Sequence, residues 1–121
     1  MSESAGSFWV ELVGNVIVAR MRGVPDGPLV RACHERVMEL AKATGCRRII
    51  YDALEMARPP VEVALTQQEL TPELHKLSLR IALVVPNTGI AYLGRLAFSD
   101  GDHRVFYNDI SGAFAWLAAS A

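Results

Sequence analysis

Arg47-Arg48-Ile49-Ile50-Tyr51-Asp52 follows directly on Gly45 and Cys46. A run so short and so rich in β-branched and aromatic side chains reads as a strand. A helix precedes it: Val30, Cys33, Val37, Leu40 and Ala41 recur at the spacing of one buried stripe, while Arg31, Glu35, Glu39 and Lys42 fall outside it. Gly23-Val24-Pro25-Asp26-Gly27-Pro28 opens that helix, with Asp26 or Gly27 at the N-cap and Pro28 in the first turn, and Gly45 closes it. A strand reached through a helical crossover runs parallel to the strand before it, so the chain belongs to the α/β class.

Upstream, Phe8 to Val13 and Val16 to Met21 are two β-type runs around Gly14-Asn15, the turn chemistry of a tight antiparallel hairpin. Ile17, Ala19 and Met21 share one face and Val16, Val18 and Arg20 the other, so the hairpin is expected to be mostly buried. Downstream, Arg58-Pro59-Pro60 opens a helix from about Pro60 to Leu70 with Val61, Ala64, Leu65 and Gln68 on one face. Thr71-Pro72-Glu73 reads as a restart, Thr71 capping a separate turn that carries Leu74 and Leu77. Leu79 to Val85 is apolar nearly throughout, as an interior parallel strand covered on both faces is. Asn87-Thr88-Gly89 then starts a helix to Phe98 with Ile90, Leu93 and Ala97 inward, and Ser99-Asp100-Gly101-Asp102 closes it. His103 to Tyr107 is the last strand; Asn108-Asp109 caps a final helix striped by Ile110, Ala113, Phe114 and Leu117.

The order ββαβαβαβα describes a mixed five-stranded sheet with an antiparallel N-terminal strand. Right-handed crossovers that step one way put their helices on one face, so another helix or a partner chain must cover the second. A homodimer is one candidate.

Composition narrows the classes. With 12 Lys+Arg against 13 Asp+Glu the net charge is −1, which gives no field to draw nucleic acid or anionic lipid. At 121 residues, 51% of them hydrophobic, the chain can build one core without disulfides or a structural metal. Residues 1–121 are expected to be a single domain with 1–7 flexible. No apolar run approaches the length of a membrane span, and Met1 to Ser7 lacks the features of a signal peptide, so no membrane span and a cytoplasmic location are expected. Cys33 and Cys46 lack C-x-x-C spacing and read as reduced thiols, Cys33 as a small buried hydrophobe. Arg20, Arg22, Arg47 and Arg48, the basic concentration, read as hydration of the sheet's bottom edge rather than as a nucleic-acid site.

The terminal block Arg104-Val105-Phe106 followed by Ala113-Phe114-Ala115-Trp116-Leu117, together with Arg48-Ile49-Ile50-Tyr51-Asp52, resembles the SpoIIAA-like family, relatives of STAS domains with some likeness to the CRAL-TRIO lipid-binding fold. The resemblance covers nearly the whole chain and rests on core motifs, so it speaks to fold more than to function. In the regulatory STAS proteins a phosphorylated Ser follows the strand-ending Asp at a helix start. Here Ala53-Leu54 stands in those places, and the resemblance therefore implies partner binding without the phosphoswitch.

Catalytic patterns are missing. Asp52 lacks the acidic pair and the Lys of a receiver domain, no Walker loop or G-x-G-x-x-G occurs, and no Ser lies in G-x-S-x-G. His34, His75 and His103 match no metal spacing and read as surface or cap residues. No catalytic residue, cofactor or metal is expected. Two functions lead: a non-catalytic interaction or regulatory module, or a carrier of a small apolar or lipid-like ligand at the carboxyl ends of the strands; an enzyme whose catalytic groups converge in space without a sequence motif is the third class. The expected ligand or anion rim is Asp52, Met56, Arg58, Asn87, Thr88, Gly89 and Tyr107, where an apolar wall meets a few polar groups and a helix start.

Overall fold

The computed structural model describes residues 6–98 and 102–119, so the expectations placed on residues 1–5 and on the loop at 99–101 lie outside the described residues. The chain runs β1 (Ser7–Val13), β2 (Val16–Gly23), α1 (Gly27–Thr44), β3 (Arg48–Met56), α2 (Val61–Lys76), β4 (Arg80–Val85), α3 (Thr88–Ala97), β5 (His103–Tyr107) and α4 (Ile110–Ala119). The order is the expected ββαβαβαβα. The strands lie side by side in sequence order, β1 antiparallel to β2 and every later pair parallel.

Local chemistry sets the boundaries. Gly14 turns the hairpin at φ 63°, a left-handed value that glycine takes without a Cβ penalty. The Asp26 carboxylate accepts the Leu29 N–H at 2.9 Å to cap α1, Asn87 caps α3 through Ile90 N–H at 2.9 Å, and Asp109 caps α4 through Gly112 N–H at 2.8 Å. Gly45 ends α1 at φ 72°, its N–H returning to the Ala41 carbonyl.

Because β2 to β5 always step the same way, the crossover helices α1, α2 and α3 share one face of the sheet. Ile17, Ala19, Ile49, Tyr51, Ile81 and Leu83 meet Cys33, Val37, Leu74 and Leu93 there. The second face is not bare: α4 closes it, with Ala113 and Leu117 set against Val16, Val18, Ile50, Ala82 and Val84.

Five expectations are corrected. The hairpin is not mostly buried, because β1 is an edge strand and Leu12 and Val13 stay exposed. β3 does not stop at Asp52: it continues to Met56 by pairing with the end of β2, and carries one extra residue between Asp52 and Glu55 opposite Arg20 to Arg22. α2 is one helix through Pro72. Instead of capping a restart, the Thr71 hydroxyl lies 2.9 Å from the Gln67 carbonyl and 2.8 Å from that of Ala97. The carbonyl freed by the missing Pro72 N–H belongs to Gln68, and both residues are exposed, where water can serve it. The buried face of α2 is Ala64, Gln67, Thr71 and Leu74, which turns Val61 and Leu65 outward. Finally, the arginines do not share an edge. Arg20 and Arg22 lie toward the carboxyl end of β2, whereas Arg48 begins β3 and Arg47 directly precedes it.

Cys33 is buried and Cys46 half-buried, both free. Burial pushes the Cys33 thiol up to about 12, which withholds the reactive thiolate at neutral pH. Ellman's reagent is accordingly expected to titrate Cys46 alone in the native protein and both thiols in denaturant; rapid native labelling of Cys33 would contradict this packing.

Candidate functional site

Alternation along β3 sends Tyr51 to the α1–α3 side and Asp52 to the α4 side. On the first side lies a cavity of about 100 Å³. Its floor is Ala19, Tyr51, Leu83 and Val85, its walls come chiefly from Val63, Ala64 and Gln67 of α2, from Ile90 and Leu93 of α3 and from Phe98 just past the end of α3, and Met21 and Met56 stand at its half-exposed margin. The Tyr51 ring packs on Phe98 with centroids 5.0 Å apart. Its hydroxyl is buried and meets no hydrogen-bond partner among the described residues. Desolvation and the nearby Cys33 raise the Tyr51 pKa well above the usual phenol value, so the hydroxyl keeps its proton.

Asp52 contributes to the cavity wall, but its carboxylate is spent elsewhere: Oδ2 accepts from Arg20 Nε at 2.9 Å and Oδ1 from the Leu54 N–H at 3.0 Å. Arg20 and Arg22 also stack against Trp9, with guanidinium carbons 5.0 and 4.9 Å from the ring.

The seven expected rim residues divide into groups. Asp52 and Met56 line the cavity. Arg58 lies against the first turn of α3, where a Cβ on Gly89 would stand 3.2 Å from Arg58 Nη1, and Asn87 and Thr88 are exposed beside it. Tyr107 is apart from both, its hydroxyl accepting from Arg95 Nη2 at 3.2 Å. The Tyr51 hydroxyl and Gln67 were not foreseen; the polar tip of Tyr51 on an otherwise apolar strand is the signal that could have found it.

The outer surface of α2 and α3 holds a second feature. Gln68 Nε2 donates to the Leu96 carbonyl at 3.0 Å, which fixes the register of two helices that both start from strand carboxyl ends. One turn back along each brings Leu65 level with Tyr92, and another brings Val61 toward Gly89 and Arg58. Val61, Leu65 and Tyr92 are 44%, 42% and 61% exposed, among the six most exposed large apolar side chains of the described residues. Glu62, Gln68, Glu69 and Arg95 are exposed polar residues on the same two helices.

The histidines form no site. His34 is buried rather than superficial, and its Nε2 donates to Glu73 Oε1 at 2.7 Å across α1 and α2. That bond, with the charge of His34 added, holds the Glu73 carboxyl below its usual range. Among the described residues no three His, Cys, Asp or Glu side chains group to hold a metal, and no helix is long and apolar enough to cross a membrane.

No family model matches the chain, and no curated protein matches its sequence. Solved structures do match. The structure of the anti-sigma factor antagonist SpoIIAA in its unphosphorylated form superposes with a TM-score of 0.71 over 95% of this chain and 99% of that one, at 14% identity. The chain has the SpoIIAA-like fold. An anti-sigma factor antagonist from Mycobacterium paratuberculosis shares this fold at a TM-score of 0.70 and 13% identity, covering 93% of this chain and 94% of its own. An uncharacterised protein with a SpoIIAA-like fold from Shewanella loihica gives 0.63 at 18% identity, over 97% of this chain and 98% of its own. Within the SpoIIAA-like fold of this chain, the cavity and the Val61–Leu65–Tyr92 surface both lie on the α1–α3 side.

Proposed function

We propose that the chain is a non-catalytic regulatory module that binds another protein through the outer surface of α2 and α3. The observation that carries this reading is the exposed row Val61, Leu65 and Tyr92, apolar at its centre and flanked by charges, which is the anatomy of a modest protein interface. Aromatic and branched anchors of this kind supply most of the binding energy where they are ringed by polar groups. Two neighbours in fold are described as anti-sigma factor antagonists, and protein binding in those neighbours supports the same class of function here.

The proposed binding does not depend on phosphorylation at the junction between β3 and α2. From Ala53 to Leu65 the sequence offers no hydroxyl. The first in α2, Thr66, donates to the Glu62 carbonyl at 3.1 Å within the helix. A phosphate has no acceptor side chain where the helix dipole and free N–H groups would receive it.

Leu65→Glu tests the surface, since a half-exposed helix position accepts Glu with little effect on folding. Crosslinking in the native host, followed by purification and mass spectrometry, is expected to recover a partner with the wild-type chain and about tenfold less of it with Leu65→Glu, as loss of one anchor of about 1.4 kcal/mol gives. Phosphatase treatment should leave recovery unchanged. Equal recovery by both chains, with unchanged circular dichroism, would remove α2 from the interface; light scattering identifies the case in which the partner is a second copy.

A further inference from the structure

The cavity under α2 and α3 is independent of the protein-binding surface and has an unmet chemical demand. Its described walls are apolar, yet the Tyr51 hydroxyl, on a residue 8% exposed, has no partner among the described residues. Such a group normally finds a protein or water partner, and leaving it bare is costly. A water would need two to four polar contacts to be held. Here the neighbouring polar side chain, Gln67, is drawn toward Thr71 Oγ1 at 3.4 Å, and the remaining lining is nearly all hydrocarbon. A molecule that fills the apolar space and brings one hydrogen-bonding atom meets both conditions.

We propose that this cavity binds a compact, uncharged, mainly apolar molecule carrying a single alcohol or carbonyl oxygen, which pairs with the Tyr51 hydroxyl. Size limits the ligand: at about 100 Å³ the space is of the order of a small ring, below the roughly 150 Å³ of a protein cavity known to take benzene. Charge limits it too. Among the described residues the lining contains no cationic side chain, and the carboxylate of Asp52 is held by Arg20 on the opposite face, so a carboxylate or phosphate ligand would be buried without a counter-charge. Met21, Ala53, Met56 and Val63 are half-buried at the outer wall, which makes that side the entrance, with two unbranched and adaptable methionines beside it.

The test uses the full chain with cyclopentanone and, as a control of the same ring size, cyclopentane. Saturation-transfer NMR and titration of the Tyr51 and Leu83 resonances are expected to show cyclopentanone binding in the millimolar range or tighter, with cyclopentane weaker by about threefold to tenfold, the worth of one neutral hydrogen bond. Tyr51→Phe keeps the ring and is expected to lose the ketone preference while still taking cyclopentane. Gly94→Ala places a Cβ 3.1 Å from Leu83 Cδ1, on a helix that tolerates Ala, and is expected to weaken both probes by narrowing the space. If neither probe binds the wild type, or if Tyr51→Phe retains the ketone preference, the proposal fails. Circular dichroism checks that both variants are folded. Loss of this site would leave the Leu65→Glu result untouched, so the two readings fail separately.

Discussion

In urea unfolding followed by circular dichroism, Leu117→Ala is expected to lose about 3 kcal/mol, within the usual range for a buried Leu cut back to Ala. Leu117 is fully buried, and with Ala113 it is one of the two buried anchors of α4. Ala cannot replace its packing in the apolar cluster it shares with Ile50, Ala82 and Val84, and the sheet beneath is too regular to collapse into the gap. Against the 5–15 kcal/mol that holds a typical domain together, such a loss is a large fraction. The thermal midpoint should fall by roughly 10 °C. A change below about 1 kcal/mol would mean that α4 contributes little and that the second face relies on other cover.

Asp52→Ala is expected to cost about 2 kcal/mol, for a different reason. The carboxylate is 4% exposed and holds two partners, the Arg20 guanidinium and the Leu54 N–H at the extra residue of β3. Removing one member of a buried pair is expensive chiefly because the other is left desolvated. Arg20 is 33% exposed and can turn to water, which keeps the cost below that of a fully buried pair. Leu54 N–H loses its side-chain acceptor outright. A double-mutant cycle with Arg20→Ala isolates the pair: a coupling of about 1 kcal/mol or more is expected, and one below about 0.3 kcal/mol would show that the bridge is solvated and that the Leu54 contact accounts for the loss.

The same residue marks how far the amino-acid sequence alone carries. Periodicity located every element, since apolar stripes and β-branched runs arise from burial that repeats at a fixed spacing. Asp52 looked like a strand end because Ala53-Leu54-Glu55-Met56 has no strand preference of its own; the strand persists because β2 offers unpaired backbone through Gly23, a tertiary fact that overrides local propensity. Pro72 misled in the opposite direction, since its effect depends on which way the helix faces. That phase error also hid the site. With Val61 and Leu65 taken as inward, Gln67 was left off the buried face and the exposed row on α2 went unseen. Of the expected rim, Met56 and Asp52 reach the cavity, whereas Arg58 and Gly89 meet beside it. Their convergence depends on the distance between two loops, which no spacing along the chain records.

The sequential strand order bears on how the molecule is made. Each strand from β2 onward finds its neighbour already present, so the sheet can extend sideways; from β3 on, each parallel pairing first closes a loop of helix length, a non-local step that slows folding. α4 is the exception, because it covers β3, β4 and β5 only after the last of them is in place. Until it docks, a growing chain on the ribosome presents Val16, Val18, Ile50, Ala82 and Val84 as an uncovered greasy surface. During that interval the exposed face makes the nascent sheet prone to aggregation and a target for chaperones.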